Sequence, residues 1–362
     1  MNASRIIILA LILAVVAYVL LLNSSNSAQQ GTASNLTTRP VIQNSGQNPN
    51  YSSSASNVNA GSSSTSTAIT DKYLMAFLAC SGPSCNDPRN HMTYLAQSNN
   101  LVNWTLVSGF KPFSGSVPDL VRRGDMLYIY NPGTLTTLNL STGEESQTKH
   151  VELMYPNRTQ AIFVDPCPIL INNTIVLFFL PGMYNQDPAQ CPGGESSCVK
   201  QIMSATEING SDGLDFVIDP GVRVNIGIDT LGGTASDPAV FKANDTYVLY
   251  ASVGQGVVAY TSNSLQGAYS QINGLPGNML VEQGIGGVPS GYYDNATGKY
   301  YTYTGTGTID VAITDNITTP ISKSSFLTAI SGCNTSGLGC AYDTDGVIGS
   351  PGVIPNIANS TR

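Results

Sequence analysis

Residues 235–254, ASDPAVFKANDTYVLYASVG, decide the fold. Pro238, with Asp237 beside it, opens a short apolar run. Asn244-Asp245 breaks that run, and a second run rich in Val and Tyr closes on Gly254. Each run is too short for a helix and is bounded by turn residues, so the stretch predicts an antiparallel pair of strands. Three other stretches repeat the pattern: SVPDLVRRGDMLYIYNPG from Ser116, FVDPCPILINNTIVLFFLPG from Phe163, and GVPSGYYDNATGKYYTYTG from Gly287. Their prolines, Pro118, Pro166, Pro238 and Pro289, lie 48, 72 and 51 residues apart. The longer interval contains Cys191 and Cys198 and reads as an insertion.

A fifth copy is divided between the ends of this region. GSPGVIPN from Gly349 supplies a first strand and stops, while DKYLMAFLACSG from Asp71 supplies a second strand with nothing before it. About 50 residues suit one four-stranded antiparallel sheet, and sheets arranged around an axis leave few exposed edges. The expectation is an all-β, five-bladed propeller over residues 71–362, closed by pairing its C-terminal strand with its N-terminal ones. A β-sandwich would explain similar strands but not complementary half-repeats.

Of the 362 residues, 10% are charged and 41% hydrophobic, and the net charge is −8. The apolar content excludes global disorder. The acidic balance leaves no electrostatic footprint for nucleic acid. Ile6–Leu22 is an uninterrupted apolar run of 17 residues preceded by Arg5. At about 1.5 Å per residue it covers about 25 Å, the short end of what crosses a hydrocarbon core of roughly 30 Å, and the positive charge before it orients the rest of the chain outward. Residues 1–22 therefore predict a signal anchor, a single transmembrane helix contacting the membrane. A cleaved signal is the alternative, with Asn26-Ser27-Ala28 a poor match to a cleavage site. Residues 23–70, mostly Ser, Thr, Asn, Gln and Gly, predict a flexible tether. The expected location is the cell membrane with the head outside, or secretion if the first segment is removed.

Asn-x-Ser/Thr sequons begin at Asn23, Asn35 and Asn50 before the head, and at Asn103, Asn139, Asn157, Asn172, Asn209, Asn244, Asn295, Asn316, Asn334 and Asn359 within it. Each is weak evidence alone, but their density agrees with an exported glycoprotein. Cys80 with Cys85, Cys191 with Cys198, and Cys333 with Cys340 form close pairs in Gly-, Ser- and Pro-rich stretches. They predict disulfide-closed loops in an oxidising compartment. Zinc sites would want histidine, and the chain has only His91 and His150. Cys167 falls within an apolar strand and reads as a small buried hydrophobe.

MTYLAQSNNLVNWTLV, residues 92–107, and TSNSLQGAYSQI, from Thr261, resemble outer strands of five-bladed propeller glycoside hydrolases of the arabinanase, β-xylosidase and fructosidase type. The resemblance spans roughly residues 71–356 as a repeat pattern. It implies carboxylates at the starts of the innermost strands, converging on an axial pocket. By position it makes Asp119 a pocket-shaping residue and Asp165 the partner that orients the general acid. Ser236 stands at the family's acid position, with Asp237 beside it, and Ser350 at its base position; the fifth blade offers Ser290. The expectation is that Asp119, Asp165 and Asp237 carry catalysis, with Ser236, Ser290 and Ser350 facing the sugar.

Inverting glycoside hydrolysis needs an acid and a base about 6.5–9.5 Å apart, and serine supplies neither. Asp237 would then be the acid, and Asp119, Asp343 or Asp345 the base. The bland reading of each Asp-Pro is a turn cap. No cofactor is expected. Asp343-Thr344-Asp345-Gly346 matches part of a calcium loop whose other ligands are absent, which leaves Ca²⁺ open. Three functions follow: a glycosidase acting on poly- or oligosaccharide, a degenerate propeller binding glycan or protein, or a structural envelope subunit. The sequence names no protein partner.

Overall fold

The computed structural model describes residues 69–181, 199–227, 235–305 and 307–358. The expected anchor, all but the end of the tether, and Cys191 and Cys198 lie outside the described residues. No helix among the described residues is long and apolar enough to cross a membrane.

The head is an all-β propeller, its strands collected in five sheets. Four follow one plan, in which a strand led by a proline pairs with the next strand in sequence, then the next, and so outward. The plan is plainest in Ala235–Ala243, Thr246–Val253, Gly256–Ser262 and Ser270–Gln271, and in Gly287–Asp294, Lys299–Gly305, Ile309–Thr314 and Phe326–Ile330. Asp119–Arg123 begins the same order through Met126–Asn131, Thr134–Asn139 and Lys149–His150. The sheet that starts at Phe163–Ile171 is enlarged to seven strands, partly by Glu152–Met154, which joins Asp215–Ile218 in parallel.

The divided repeat closes as expected. Gly346–Pro355 pairs antiparallel with Tyr73–Ser81, from Tyr73 opposite Pro355 to Ser81 opposite Gly346. The five proline-led strands contact one another in cyclic order around an axis. Between each pair of neighbouring sheets lies one apolar cluster, for example Phe178 and Ile169 against Val240 and Leu249, or Trp104 and Phe77 against Tyr303 and Val311. Burial of whole aromatic and branched side chains contributes about 1.5–3 kcal/mol each, so the sheets are held face to face rather than edge to edge.

The prolines explain how each sheet presents its start to the axis. Proline has no N–H to donate to a ladder and is tolerated at a bulge or a strand start. Register shifts fall between Val164 and Cys167, between Ser236 and Ala239, and between Gly287 and Ser290. Opposite Ala76 and Leu78 the closing strand is shifted between Gly352 and Gly349. Each interval contains a proline. The preceding residue has positive φ in all five sheets: Val117 44°, Asp165 52°, Asp237 48°, Val288 51° and Ser350 50°. Such backbone costs about 1–3 kcal/mol for a non-glycine residue and persists only where its surroundings impose it. Here it brings five equivalent positions, one from each sheet, to one axial cavity.

Candidate functional site at the axial cleft

The five X-Pro steps surround a narrow axial cavity of about 20 Å³, room for roughly one water molecule. Above it opens a cleft of about 700 Å³, within the range of small-molecule sites. Asp165, Ser236, Asp237 and Ser350 form its polar floor, and His91 and Gln255 stand on its walls. No Lys, Arg or Glu lines it among the described residues.

Asp165 and Asp237 are brought together because their strands are ring neighbours. The Asp237 amide donates to Asp165 Oδ2 at 3.1 Å, and Ser236 Oγ donates to Asp237 Oδ2 at 2.5 Å. Burial raises the Asp165 pKa, and the Asp237 amide only partly offsets this. Asp237 is pushed well above the usual carboxylate range, first by burial and then by the negative charge of Asp165, against a lowering contribution from Ser236. Two carboxyl groups crowded into one apolar setting do not both ionise readily. The pair therefore retains a proton at pH values where an exposed Asp has lost it, and Asp237 holds it longer.

The remaining expected site residues are placed differently. Asp119 follows its proline, whereas Asp165 and Asp237 precede theirs, so Val117 occupies the equivalent position. This corrects the alignment of the three aspartates. Asp119 is 7% exposed, its Oδ1 accepts the Leu120 amide at 2.7 Å, and it packs against Gly352, where an added Cβ would lie 2.1 Å from Oδ1. It lines the axial cavity but not the cleft. Ser290 also follows its proline and is fully buried, with no hydrogen-bond partner for Oγ; it has no surface to offer a ligand. Ser350 precedes Pro351 and reaches the cleft floor.

Asp343, a candidate base, accepts the Gly332 and Cys333 amides, the latter at 2.8 Å, and so braces the Cys333–Cys340 disulfide loop. Asp345 lines neither the axial cavity nor the cleft. Among the described residues no group of three or more His, Cys, Asp or Glu side chains is placed to hold a metal ion. Cys167 is buried, accepts the Val240 amide at 3.2 Å, and has its thiol pKa pushed up to about 12 by burial.

Sequence reasoning did not place His91, Ser116 or Gln255. The Cys80–Cys85 disulfide closes the loop before His91, whose Nε2–H donates to the Cys85 carbonyl at 2.9 Å. His91 Nδ1 meets Ser116 Oγ at 2.8 Å. A carbonyl only accepts, so this contact fixes the Nε2–H and turns Nδ1 toward Ser116. One signal was present: a scarce histidine close to a cysteine pair, in the hairpin that reaches the mouth.

No protein-family model and no curated protein matches the chain. Among solved structures, an exo-1,5-α-L-arabinanase from a bovine ruminal metagenomic library is 14% identical, covers 68% of this chain and 91% of its own, and has a TM-score of 0.42. An α-L-arabinofuranosidase from Lactobacillus brevis is 12% identical over 74% of this chain and 84% of its own, also at 0.42. An endo-1,4-β-xylanase from Bacteroides thetaiotaomicron is 12% identical over 66% and 81%, with the same score.

Proposed function

We propose that the chain is an extracytoplasmic, five-bladed propeller that binds a neutral oligo- or polysaccharide in its axial cleft. The observation that carries this reading is the Asp165–Asp237 pair on the cleft floor. A carboxyl pair whose Asp237 keeps its proton above the usual carboxylate range both donates and accepts, which matches adjacent sugar hydroxyls that do the same. Ser236, Ser350 and Gln255 add uncharged partners, and no Lys or Arg among the described residues lines the cleft to attract a phosphate or carboxylate. Disulfides at Cys80–Cys85 and Cys333–Cys340 support an oxidising compartment. The apolar run Ile6–Leu22 supports attachment to the membrane with the head outside.

Hydrolysis is the second reading, favoured by the raised pKa of Asp237, which keeps a proton available for a leaving oxygen. It also requires a second carboxyl group across the scissile bond. Asp165 lies beside Asp237, and Asp119 is tucked below the cleft. Binding without turnover therefore fits the described residues better.

Calorimetric titration of the purified chain with arabino-, xylo- and fructo-oligosaccharides, with product analysis on the same mixtures, separates the readings. Saturable binding without product, weakened tenfold or more by Asp165→Ala or Asp237→Ala, is the expected result; tenfold corresponds to about 1.4 kcal/mol. Product release abolished by Asp165→Asn and Asp237→Asn would instead establish the glycosidase. Neither binding nor turnover by folded protein would leave the structural-subunit reading.

A further inference from the structure

The propeller topology sorts the sequons by face. Each proline-led strand runs away from the cleft, so the hairpin at its far end and the turn from third to fourth strand lie opposite the cleft. The register shows this in the closing sheet, where Gly346 and Ser81 are at the cleft end and Pro355, Tyr73 and Ser98 are at the other. Asn172, Asn244 and Asn295 sit in the far hairpins of three sheets, all exposed. Asn103, Asn139, Asn209 and Asn316 sit where third strands turn toward fourth strands, and only Asn139 is half-buried.

At the cleft end, the hairpins Gly82–His91, Pro132-Gly133 and Gly254-Gln255 contain no sequon. Turns favour Asn at both ends of a strand, so turn chemistry alone does not produce this asymmetry. Two sequons among the described residues fall elsewhere. Asn157 is at the outer edge of the seven-stranded sheet, and Asn334 is in the Cys333–Cys340 loop at the cleft end.

We infer that the face opposite the cleft is a modified face, carrying N-linked glycans on these seven asparagines while the cleft face is left open for its ligand. The inference rests on the extracytoplasmic reading above. The co-substrate is a lipid-phosphate-linked oligosaccharide. The asparagine Nδ2 forms a bond to the sugar's anomeric carbon, the bond from that carbon to the phosphate oxygen breaks, and the phosphate-bearing lipid leaves with the bonding electrons. The amide gives up one proton to a base, and nothing is oxidised or reduced. Several of these asparagines are shaped as protruding turns. Asn172 and Asn244 have φ of 48° and 54°, and Asn316 Oδ1 accepts both the amide and the hydroxyl of Thr318 at 3.1 Å.

The full chain, produced in a host with its own N-glycosylation pathway, is tested by enzymatic deglycosylation in ¹⁸O-water. This converts each glycosylated Asn to labelled Asp, which peptide mass spectrometry reads. The expected result is label at Asn172, Asn244 and Asn295 and at the third-to-fourth-strand turns. Thr174→Val, Thr246→Val and Thr297→Val remove three sequons while keeping each Asn in its turn. Each should lower the intact mass by one glycan and leave oligosaccharide affinity unchanged, and the matching Thr→Ser variants should keep the glycan. A chain accessible to protease on intact cells but unlabelled at this face, or labelled only at Asn157 and Asn334, overturns the inference alone. A chain retained inside the cell and unlabelled overturns the location reading as well.

Discussion

Asp237 is held at positive φ, hydrogen-bonded to Ser236, and set against a second carboxyl group that repels its charge. Its folded-state pKa lies well above the value near 3.9 that an unfolded chain gives it. The folded state therefore binds its proton more tightly than the unfolded state. Below the unfolded pKa both states are protonated and the folded state is unpenalised. As pH rises toward the folded pKa, the unfolded chain ionises first, so stability falls with pH across that window. Asp165 shifts in the same direction and adds to the trend. Asp237→Asn keeps an acceptor for Ser236 and removes the titration. The variant should match the parent near pH 4 and melt higher at pH 7–8, where a gain of about 1 kcal/mol corresponds to roughly 2–4 °C. Parallel melting curves for the two proteins from pH 4 to 8 would show that Asp237 ionises in the fold as it does in water.

Between elements, the limiting contact is the approach of neighbouring proline-led strands. An added Cβ on Gly291 would lie 2.1 Å from Phe241, whose fully buried ring already meets Tyr250 edge-on at 5.0 Å between centroids. Gly291→Ala should cost about 1–3 kcal/mol through overpacking. If the ring is the obstacle, Gly291→Ala combined with Phe241→Leu should be more stable than the sum of the single effects by at least about 0.5 kcal/mol in urea unfolding. Strict additivity would remove Phe241 from the account. This level also shows what the sequence made legible. Strand pairs and their prolines could be read because apolar alternation and missing N–H groups are local properties. What the offset between Pro118-Asp119 and Asp237-Pro238 does to the side chains could not be, since the bulge that turns the pre-proline residue to the axis is set by pairing with the next strand. For the same reason Ser290 resembled a cleft residue until the register buried it.

Over the whole molecule, the half-repeats at the two ends predicted ring closure because each lacked what the other supplied. His91 stayed hidden because only the assembled ring brings the Cys80–Cys85 hairpin beside Ser116 and the aspartate pair. The face carrying the sequons was hidden for a similar reason, as strand direction relative to the axis is a property of the closed ring. Closure concentrates stability in one strand. Gly346–Pro355 places Ile348 and Val353 in the cluster shared with the preceding sheet and Ile354 in the cluster shared with the following one. Three such side chains contribute about 5–9 kcal/mol of burial, comparable to the whole net stability of a typical domain, roughly 5–15 kcal/mol. Asn356 fastens the end further, with its amide on the Lys72 carbonyl at 2.7 Å and Nδ2 on the Asp71 carbonyl at 2.8 Å. Removing residues 346–362 should therefore abolish the cooperative thermal transition rather than lower it by a few degrees, and expose Tyr73–Ser81 as an aggregation-prone edge. A peptide of residues 346–358 added in trans should restore the transition by pairing in the native register, whereas a version with Ile348→Asp and Val353→Asp should not. A truncated chain that still melted cooperatively within a few degrees of the parent would mean that four complete sheets and a fifth with an open edge suffice, and that closure serves the cleft floor through Ser350 rather than the fold.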